Sequence, residues 1–249
     1  MEGGIEAIAP QGLHEKVLEL ARRLPGENVL DAPTGFGALT AKLLAAGKKV
    51  TAGDIDTGKF SVEAAPSLKL LHLDLNGPLL PLPEGEFDVA ICAEGIEHLQ
   101  CQWNLVRNLF RVLKPGGFLI LTTPNILNFG SRLRYFMEGR YEHFKRPLVK
   151  DRSWPHDLEN YHIAPISFFE LQFILESCGF RIVEVDTNRY ASKGVLSTLL
   201  RPIFRLIYRY KDYRDRKRGR GDHGELYQTV VSDAVYYGEC LVVLAQRPA

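Results

Sequence analysis

The chain lacks the features that mark several protein classes. Its 249 residues hold four cysteines, no two of them in a Cys-x-x-Cys pair, and their spacings suit neither a zinc ribbon nor a disulfide framework. We therefore expect reduced, mostly structural thiols. No uncharged apolar run reaches 18 residues, so no membrane-spanning helix is predicted. The N-terminal sequence "MEGGIEAIAP" has no long apolar segment, so no signal peptide is predicted and the cytoplasm is the expected compartment.

A strong excess of one charge is also missing. The net charge is +1, which makes nucleic acid an unlikely partner for the chain as a whole. The hydrophobic content of 45% and the charged content of 24% are ordinary for a globular protein. The length allows one large domain, and we expect a single domain over residues 1–249.

Helical and strand patterns alternate along the first half of the chain. Residues 11–24 show helical spacing that Pro25 and Gly26 end. The two following helices are predicted in "ALTAKLLAAG" and "HLQCQWNLVRNLFRVLKPGG". A further helix is predicted in "SFFELQFILESCGF", 167–180, with Ser167 as the N-cap and Glu170 at the capping-box position. Strands are predicted in "NVLDA", "KVTAGDI", "LKLLHLDL", "FDVAICAE" and "FLILTTPN", with closing strands in "RIVEVDT" and "ECLVVLAQ". This alternation predicts an α/β fold, with a doubly wound parallel sheet and helices on both faces.

The segment "DAPTGFGALT", residues 31–40, follows the first predicted strand. A glycine-rich turn between strand and helix lets a ligand approach the backbone and the amides of the helix N-terminus. Asp54 and Asp74 end the next two strands, where acids can bind ribose hydroxyls and an adenine amino group. The three strand ends together suggest an adenosine-containing ligand. Thr40 stands where a dinucleotide fingerprint has a small third residue, which disfavours a nicotinamide dehydrogenase.

These motifs resemble the class I S-adenosylmethionine-dependent methyltransferases (type 11/12-like). The resemblance is carried by "VLDAPTGFGALT", "VTAGDID", "LDL" at 73–75, "FDVAICAEGIEHL" and "RVLKPGGFLILTTPN", and "ISFFELQFILESCGFRIVEV" extends it to about residue 185. It implies a Rossmann-like, doubly wound seven-stranded sheet with one antiparallel strand, and S-adenosylmethionine bound at the strand ends. Pro33 departs from the family, because it stands where the usual first glycine would be.

The resemblance also implies which residues contact the cofactor, and all of them lie at strand ends. They are Asp31, Ala32, Gly35 and Gly37 for the methionine portion, Asp54 for the ribose, Ile55, Asp74 and Leu75 for the adenine, and Ala93 and Glu94 near the sulfonium.

The segment "EGIEH", Glu94 to His98, is the candidate catalytic cluster. The E-x-x-E-H pattern is similar to that of ubiquinone-biosynthesis O-methyltransferases and of small-RNA 3′-end 2′-O-methyltransferases. Predicted catalytic residues are His98, Glu97 and His162. Glu94, Glu97 and His98 are also candidate ligands for Mg²⁺, Mn²⁺ or Zn²⁺, with His162 or His156 as a distant fourth ligand. Two other interpretations stay open, in which His98 acts as a base or only packs.

Residues 126–164 are less regular, and we interpret them as an insertion that covers the pocket. Asn125 either faces the methyl acceptor or caps a turn. Aromatic and histidine side chains of this region are candidates for the acceptor wall: Tyr135, Tyr141, His143, Phe144, Trp154 and Tyr161.

Residues 195–221 form a basic segment with apolar residues at helical spacing. Three interpretations stay open: the segment caps the domain with its apolar face, contacts a membrane surface through residues 195–210, or binds nucleic acid. Residues 211–224, "KDYRDRKRGRGDHG", are expected to form an exposed, mobile loop.

The predicted function is S-adenosylmethionine-dependent O-methylation of a small-molecule, sugar or lipid-linked acceptor. The alternatives are a metal-dependent RNA 2′-O-methyltransferase and a non-catalytic nucleoside-binding interaction protein. The sequence predicts neither the acceptor nor the oligomeric state.

Overall fold

The computed structural model describes residue 5, residues 9–144 and residues 161–249. Trp154 and His156, two candidate site residues, lie outside the described residues. Within the described part the chain forms seven strands: β1 (Asn28–Asp31), β2 (Lys49–Asp54), β3 (Leu68–His72), β4 (Phe87–Cys92), β5 (Leu113–Pro124), β6 (Arg181–Asp186) and β7 (Cys240–Gln246). The helices of the same part are α1 (Leu13–Arg23), α2 (Ala38–Ala45), α3 (Gln102–Val112), α4 (Phe129–Glu138), α5 (Phe168–Ser177), α6 (Val195–Lys217), α7 (Gly224–Val230) and α8 (Asp233–Tyr237).

The described strands form one sheet in the order β3-β2-β1-β4-β5-β7-β6. β1 pairs in parallel with both β2 and β4, while β7 runs antiparallel to β5 and β6. The predicted doubly wound sheet with one antiparallel strand is therefore confirmed. The strand order reverses beside β1, so the carboxyl ends of β1 and β4 open a crevice, which is where ligands bind in such sheets.

Alternate strand residues supply the two cores that cover the sheet faces. Val29 packs with the α1 and α2 side chains Leu13 and Leu43, whereas Leu30 packs with Leu109 on the opposite face. Successive strand residues point to opposite faces of the sheet, and helices cover both faces. The strands therefore have apolar residues at successive positions. The rigid central strands thereby hold their carboxyl ends in fixed positions.

The end of α3 differs from the prediction. The helix was expected to continue to Pro115-Gly116-Gly117, but it ends at Val112 and β5 begins at Leu113. Phe87 pairs with Leu113 and Val89 pairs with Phe118, so residues 114–117 bulge out of the β4–β5 ladder. Pro115, Gly116 and Gly117 lie in this bulge. The helical spacing of the residues before them does not distinguish a bulge in a strand from the end of a helix.

Helix α5 begins as predicted. The Ser167 side chain accepts from the backbone N–H of Glu170, and the Glu170 carboxylate accepts from the backbone N–H of Ser167. This reciprocal capping box satisfies two N–H groups that the first helical turn leaves unpaired.

The basic segment departs from its prediction in two ways. Residues 211–217 belong to α6 instead of a loop, and Pro202 lies inside that helix. The two short helices α7 and α8 that follow were not predicted. A search of the described helices finds none with the length and apolar character needed to cross a membrane.

Candidate active site

A cavity of about 480 Å³ opens at the carboxyl ends of β1, β2 and β4 and beside the loop after β3. Among the predicted cofactor residues, eight line this cavity: Asp31, Gly35, Asp54, Ile55, Asp74, Leu75, Ala93 and Glu94. Ala32 and Gly37 do not line it. The Ala32 N–H donates to Ile91 in the sheet, and Gly37 is the N-cap residue of α2. These two residues therefore support the backbone of the turn and do not line the cavity.

Asp31 is fully buried at the end of β1. Its Oδ2 accepts hydrogen bonds from the hydroxyls of Thr40, at 2.5 Å, and Thr34, at 3.3 Å. Within the described part of the chain, its Oδ1 has no hydrogen-bond partner. Burial is the main cause that raises the pKa of this carboxyl group to about 7, and the two threonines partly offset it. An unpartnered carboxylate oxygen at a cavity wall suits a cationic ligand group.

The structure explains why a threonine occupies position 40. Its hydroxyl ties α2 to the end of β1 through Asp31. The small residue of a dinucleotide fingerprint could not form this bond. The turn itself depends on Gly35 (φ 54°) and Gly37 (φ 89°), both in the left-handed region that favours glycine.

Asp54 connects the second strand to the first turn. Its Oδ2 accepts from the backbone N–H of Gly35 at 2.8 Å, and its Oδ1 accepts from the N–H of Asp56 at 3.0 Å. Each carboxylate oxygen can accept more than one bond, so the side chain retains capacity for ribose hydroxyls.

Pro33 contacts the candidate catalytic segment. The Ala32–Pro33 peptide bond is cis. A Cβ atom placed on Gly95 would lie 2.4 Å from Pro33 Cδ, so only glycine fits beneath the proline ring. The unusual proline of the turn and the glycine of "EGIEH" thus pack as a matched pair.

Glu94 has a backbone φ of 49°, unusual for a residue with a side chain. Its N–H donates to Thr122 Oγ1 at 3.0 Å, and that hydroxyl donates to Glu94 Oε1 at 2.9 Å. Cys240 Sγ lies 3.9 Å from Oε2. Burial raises the pKa of Glu94 to about 7, and the charge of Glu239 adds to the effect. Its carboxyl group is therefore held by β5 and β7.

Glu97 is buried behind the cavity wall. Its Oε2 accepts from Thr123 Oγ1 at 3.1 Å, and its Oε1 has no hydrogen-bond partner among the described residues. Burial and the nearby Glu94 raise its pKa well above the ordinary value, which favours the neutral acid at pH 7. The Glu97 backbone carbonyl accepts from Ile163 and Ala164, so this residue holds the segment that carries His162.

His98 and His162 meet at the cavity wall. Their rings stand edge to face with centroids 4.7 Å apart. His98 Nδ1 lies 2.9 Å from the Tyr161 carbonyl oxygen, which can only accept, so Nδ1 carries the proton and Nε2 is the basic atom. Burial lowers the pKa of His98, and burial with the neighbouring His98 lowers the pKa of His162 to about 4. Both imidazoles are neutral at pH 7.

Among the described residues, the structure brings together three of the candidate metal ligands and leaves out Glu94. One donor atom each of Glu97, His98 and His162 lies within 4.8 Å of the others. Glu94 is not part of this group, because Thr122 and Cys240 engage its carboxyl group. The choice of His162 over Glu94 could not be read from spacing, because it depends on how residues 161–164 pack.

The Asn125 side chain points into the fold, and Asn125 is not among the described residues that line the cavity. Its amide nitrogen donates to the carbonyls of Val235 and Gly238, and its Oδ1 accepts from Leu127 N–H. The side chain is buried and closes a turn, which is the second of the two interpretations.

Of the predicted acceptor wall, His143 lines the cavity, Phe144 packs on His162, and Tyr135 stacks on Tyr141.

Sequence reasoning missed the N-terminal side of the cavity. Ala9, Pro10 and His14 line it, and burial lowers the pKa of His14. No motif marks them, because they reach the site only when α1 docks on the sheet. Cys240, at the start of β7, is a second missed lining residue.

Comparison with known proteins identifies this arrangement. Residues 6–185 match the family described as "Methyltransferase domain", which is well over half of the chain. The chain belongs to the class I S-adenosylmethionine-dependent methyltransferases. It thus carries a methyltransferase domain whose cofactor is S-adenosylmethionine, as the resemblance implied.

Two relatives illustrate the range of this methyltransferase family. A probable S-adenosylmethionine-dependent methyltransferase of Mycolicibacterium smegmatis is 30% identical over 172 residues, which are 68% of this chain and 58% of the relative. A ubiquinone biosynthesis O-methyltransferase of Bordetella avium is 30% identical over 167 residues, or 57% of this chain and 66% of the relative. The chain thus spans between about half and two thirds of the length of these relatives.

The fold of the methyltransferase domain also recurs in solved structures. Phosphoethanolamine N-methyltransferase 2 of Haemonchus contortus, in complex with S-adenosyl-L-methionine, superposes with a TM-score of 0.57 at 18% identity. The superposition covers 98% of this chain and 54% of that one. At this identity the likeness shows the fold.

The cavity fits the cofactor of the family on its own chemistry. S-adenosylmethionine carries an ammonium group, for which the unpartnered Asp31 Oδ1 is a complementary acceptor. It also carries a ribose, which the remaining lone pairs of Asp54 can accept. A cavity of about 480 Å³ lies within the range of small-molecule sites, about 300–1,000 Å³.

Proposed function

We propose that the protein transfers a methyl group from S-adenosylmethionine to a hydroxyl oxygen of a small-molecule, sugar or lipid-linked acceptor, with His98 as general base. The observation that carries this proposal is the hydrogen bond from His98 Nδ1 to the Tyr161 carbonyl. It leaves Nε2 unprotonated on a side chain that lines the cofactor cavity. His98 is thereby oriented, and it is neutral, as a general base must be.

S-adenosylmethionine supplies an activated methyl group for in-line displacement. The protein then has to align the acceptor and remove its proton. His98 Nε2 would accept this proton from the hydroxyl as the oxygen attacks. His162 stands edge-on to His98 and, being neutral, does not repel the imidazolium that forms.

Glu97 and Glu94 have supporting roles in this proposal. Neutral Glu97 uses its backbone carbonyl to hold Ile163 and Ala164, which places His162. Glu94 lines the cavity with its carboxyl group fixed by Thr122, beside the expected sulfonium position. Ionisation of Glu94 by the cationic cofactor would place a negative charge near the reacting carbon.

A metal-assisted variant is favoured by one observation. Glu97 Oε1 and His162 Nδ1 are both buried without a hydrogen-bond partner in the described residues, and Glu97 and His162 converge with His98. Two imidazoles and a carboxylate would hold Mn²⁺ or Zn²⁺ more readily than Mg²⁺, which prefers oxygen ligands. An ion there would lower the pKa of an acceptor hydroxyl. The RNA 2′-O-methyltransferase alternative rests on the same cluster and has the neutral net charge against it.

The experiment is a turnover screen that detects S-adenosylhomocysteine. Purified protein is incubated with S-adenosylmethionine and with hydroxylated phenols, sugars, polyprenylated phenols and short RNA, in the presence of EDTA, Mg²⁺ or Mn²⁺. We expect turnover with a hydroxylated small molecule in EDTA. Turnover that requires Mn²⁺ would support the metal-assisted variant, and turnover on RNA alone would contradict the small-molecule acceptor. Cofactor binding without turnover on any acceptor would favour the non-catalytic alternative.

A further inference from the structure

Helix α6 presents an apolar stripe to solvent along its whole length. Val195, Leu199 and Leu206 are 80%, 69% and 69% exposed. The other large exposed side chains of the helix are Leu196, Ile203, Ile207, Tyr210 and Tyr213. From Leu199 onward the stripe recurs every three or four residues, so it occupies one continuous face.

The opposite face fixes α6 to the rest of the protein. Phe204 packs on Tyr236, and Tyr208 packs on Tyr227 and Phe169. Arg201 donates to the Val231 carbonyl and pairs with Asp233. Because aromatic rings and a partly buried arginine already anchor this face, the exposed apolar stripe cannot turn inward by rotation of the helix. The helix therefore caps the domain through Phe204 and Tyr208, as one of the interpretations held, but leaves the stripe that contains Leu199 and Leu206 exposed.

Positive charge is concentrated on the same helix. α6 has seven basic and two acidic residues, while the whole chain has a net charge of +1. Asp212 pairs with Arg216, and Asp215 accepts from the Tyr227 hydroxyl, so both acids are engaged within the fold. Arg205 and Arg209 lie along one edge of the stripe, one helical turn apart. Both are exposed.

Helix α4 adds to the exposed apolar surface beside α6. Arg132 of α4 lies over the Phe204 ring, 5.2 Å from its centroid, and reaches the Tyr208 hydroxyl. Phe136 follows Arg132 by one turn and is 87% exposed, and Met137 is 66% exposed. Two neighbouring helices therefore expose large apolar side chains in place of the polar residues expected on a free surface.

We propose that α6 docks on the surface of an anionic lipid bilayer. The apolar stripe would enter the boundary between headgroups and acyl chains, and Arg205 and Arg209 at its edge would meet lipid phosphates. Charge complementarity selects this occupant over a second copy of the chain, because pairing two such stripes would bring their basic edges together. The proposal is independent of the methyl acceptor and of the role of His98.

The test is flotation of the full chain with vesicles of phosphatidylcholine alone or of phosphatidylcholine with phosphatidylglycerol. We expect binding to the anionic vesicles that is at least about tenfold stronger than to the neutral ones and that weakens with salt. The double variant Leu199→Glu/Leu206→Glu should lose at least about tenfold in affinity. Arg205→Gln/Arg209→Gln should lose affinity for anionic vesicles only.

The matched control is Leu79→Glu/Val183→Glu, which changes two exposed apolar residues outside α4 and α6. It should bind vesicles within about twofold of the unchanged protein. Thermal unfolding and S-adenosylmethionine binding confirm that each variant is folded. Absence of binding to anionic vesicles, or equal loss in the control, overturns the proposal. The proposal is also overturned if the unchanged protein does not bind vesicles but sediments as a dimer, and the Leu199→Glu/Leu206→Glu variant sediments as a monomer.

Discussion

Asp54 accepts a hydrogen bond from the backbone N–H of Gly35 at 2.8 Å. The acid expected to bind the ribose thus also holds the glycine turn that is expected to carry the methionine portion. The two halves of the proposed cofactor site are joined by one carboxylate, and changes at Asp54 should affect both.

Replacement of Asp54 should weaken cofactor binding in two graded steps. Asp54→Asn keeps one oxygen acceptor, and we expect a loss of about tenfold in S-adenosylmethionine affinity; Asp54→Ala also leaves the Gly35 N–H unpaired, and about a hundredfold loss is expected. Calorimetric titration measures both. The exposed Glu63→Gln is the control and should bind normally. Equal affinity for Asp54→Ala and the unchanged protein would remove Asp54 from the site.

Cofactor affinity should depend on pH through Asp31. The pKa of its buried carboxyl group is raised to about 7, so the acid is largely protonated at pH 6 and largely ionised at pH 8. Because the ammonium group of the cofactor favours the ionised form, S-adenosylmethionine should bind more tightly as pH rises across this range. Titrations at several pH values should show this dependence for the unchanged protein and a shallower one for Asp31→Asn, in which Glu94, whose pKa is also raised to about 7, still titrates at the cavity. The same slope in both proteins would contradict the pairing.

The raised pKa of Asp31 has a second consequence, for stability without cofactor. A carboxyl group whose pKa is raised on folding stabilises the fold most at low pH and loses this contribution as pH rises through about 7. The stability of Asp31→Asn relative to that of the unchanged protein should therefore be higher at pH 8 than at pH 5.5. Thermal unfolding without ligand measures this difference at both pH values. An unchanged difference between the two pH values would show that Asp31 does not titrate in this range.

His98 should affect turnover and leave cofactor binding nearly unchanged. His98→Ala is expected to lower kcat by about 10²–10⁴-fold, because the acceptor proton loses its base. His72, exposed at the end of β3, gives the matched control His72→Ala. Glu97→Gln separates the two mechanisms: a neutral Glu97 tolerates the amide, whereas a metal ligand does not. Strong loss of activity in Glu97→Gln that added Mn²⁺ partly restores would favour the metal-assisted variant.

The two glycines of the first turn should respond differently to alanine. Both have positive φ, but a Cβ on Gly37 would lie 2.5 Å from Val62 Cγ2, whereas none of the described atoms lies within 4 Å of a Cβ on Gly35. Gly37→Ala should therefore cost more in the free energy of unfolding, about 1–3 kcal/mol, than Gly35→Ala, about 1 kcal/mol. Denaturant unfolding measures both. A larger loss for Gly35→Ala would contradict the packing of the turn.

Local patterns predicted the parts of the fold that one strand or helix decides alone. The strand ends at Asp31 and Asp54 and the capping box at Ser167 follow from short motifs, because each is built from neighbouring residues. The outward face of α6 could not be predicted, since which side is buried depends on Tyr227 and Tyr236 in the unpredicted α7 and α8. Likewise, His162 joins His98 only because Glu97 binds the backbone of Ile163. The pocket-covering role of residues 126–164 stays a prediction, with 145–160 outside the described part.

The central claim is that the cavity at the ends of β1, β2 and β4 binds S-adenosylmethionine. Isothermal titration of the protein with S-adenosylmethionine, S-adenosylhomocysteine and NAD tests it most directly. We predict micromolar binding of the two adenosyl sulfur ligands, tightening with pH for both because each carries the ammonium group, and no comparable binding of NAD. Folded protein that binds neither sulfur ligand, or that binds NAD more tightly, would contradict the account.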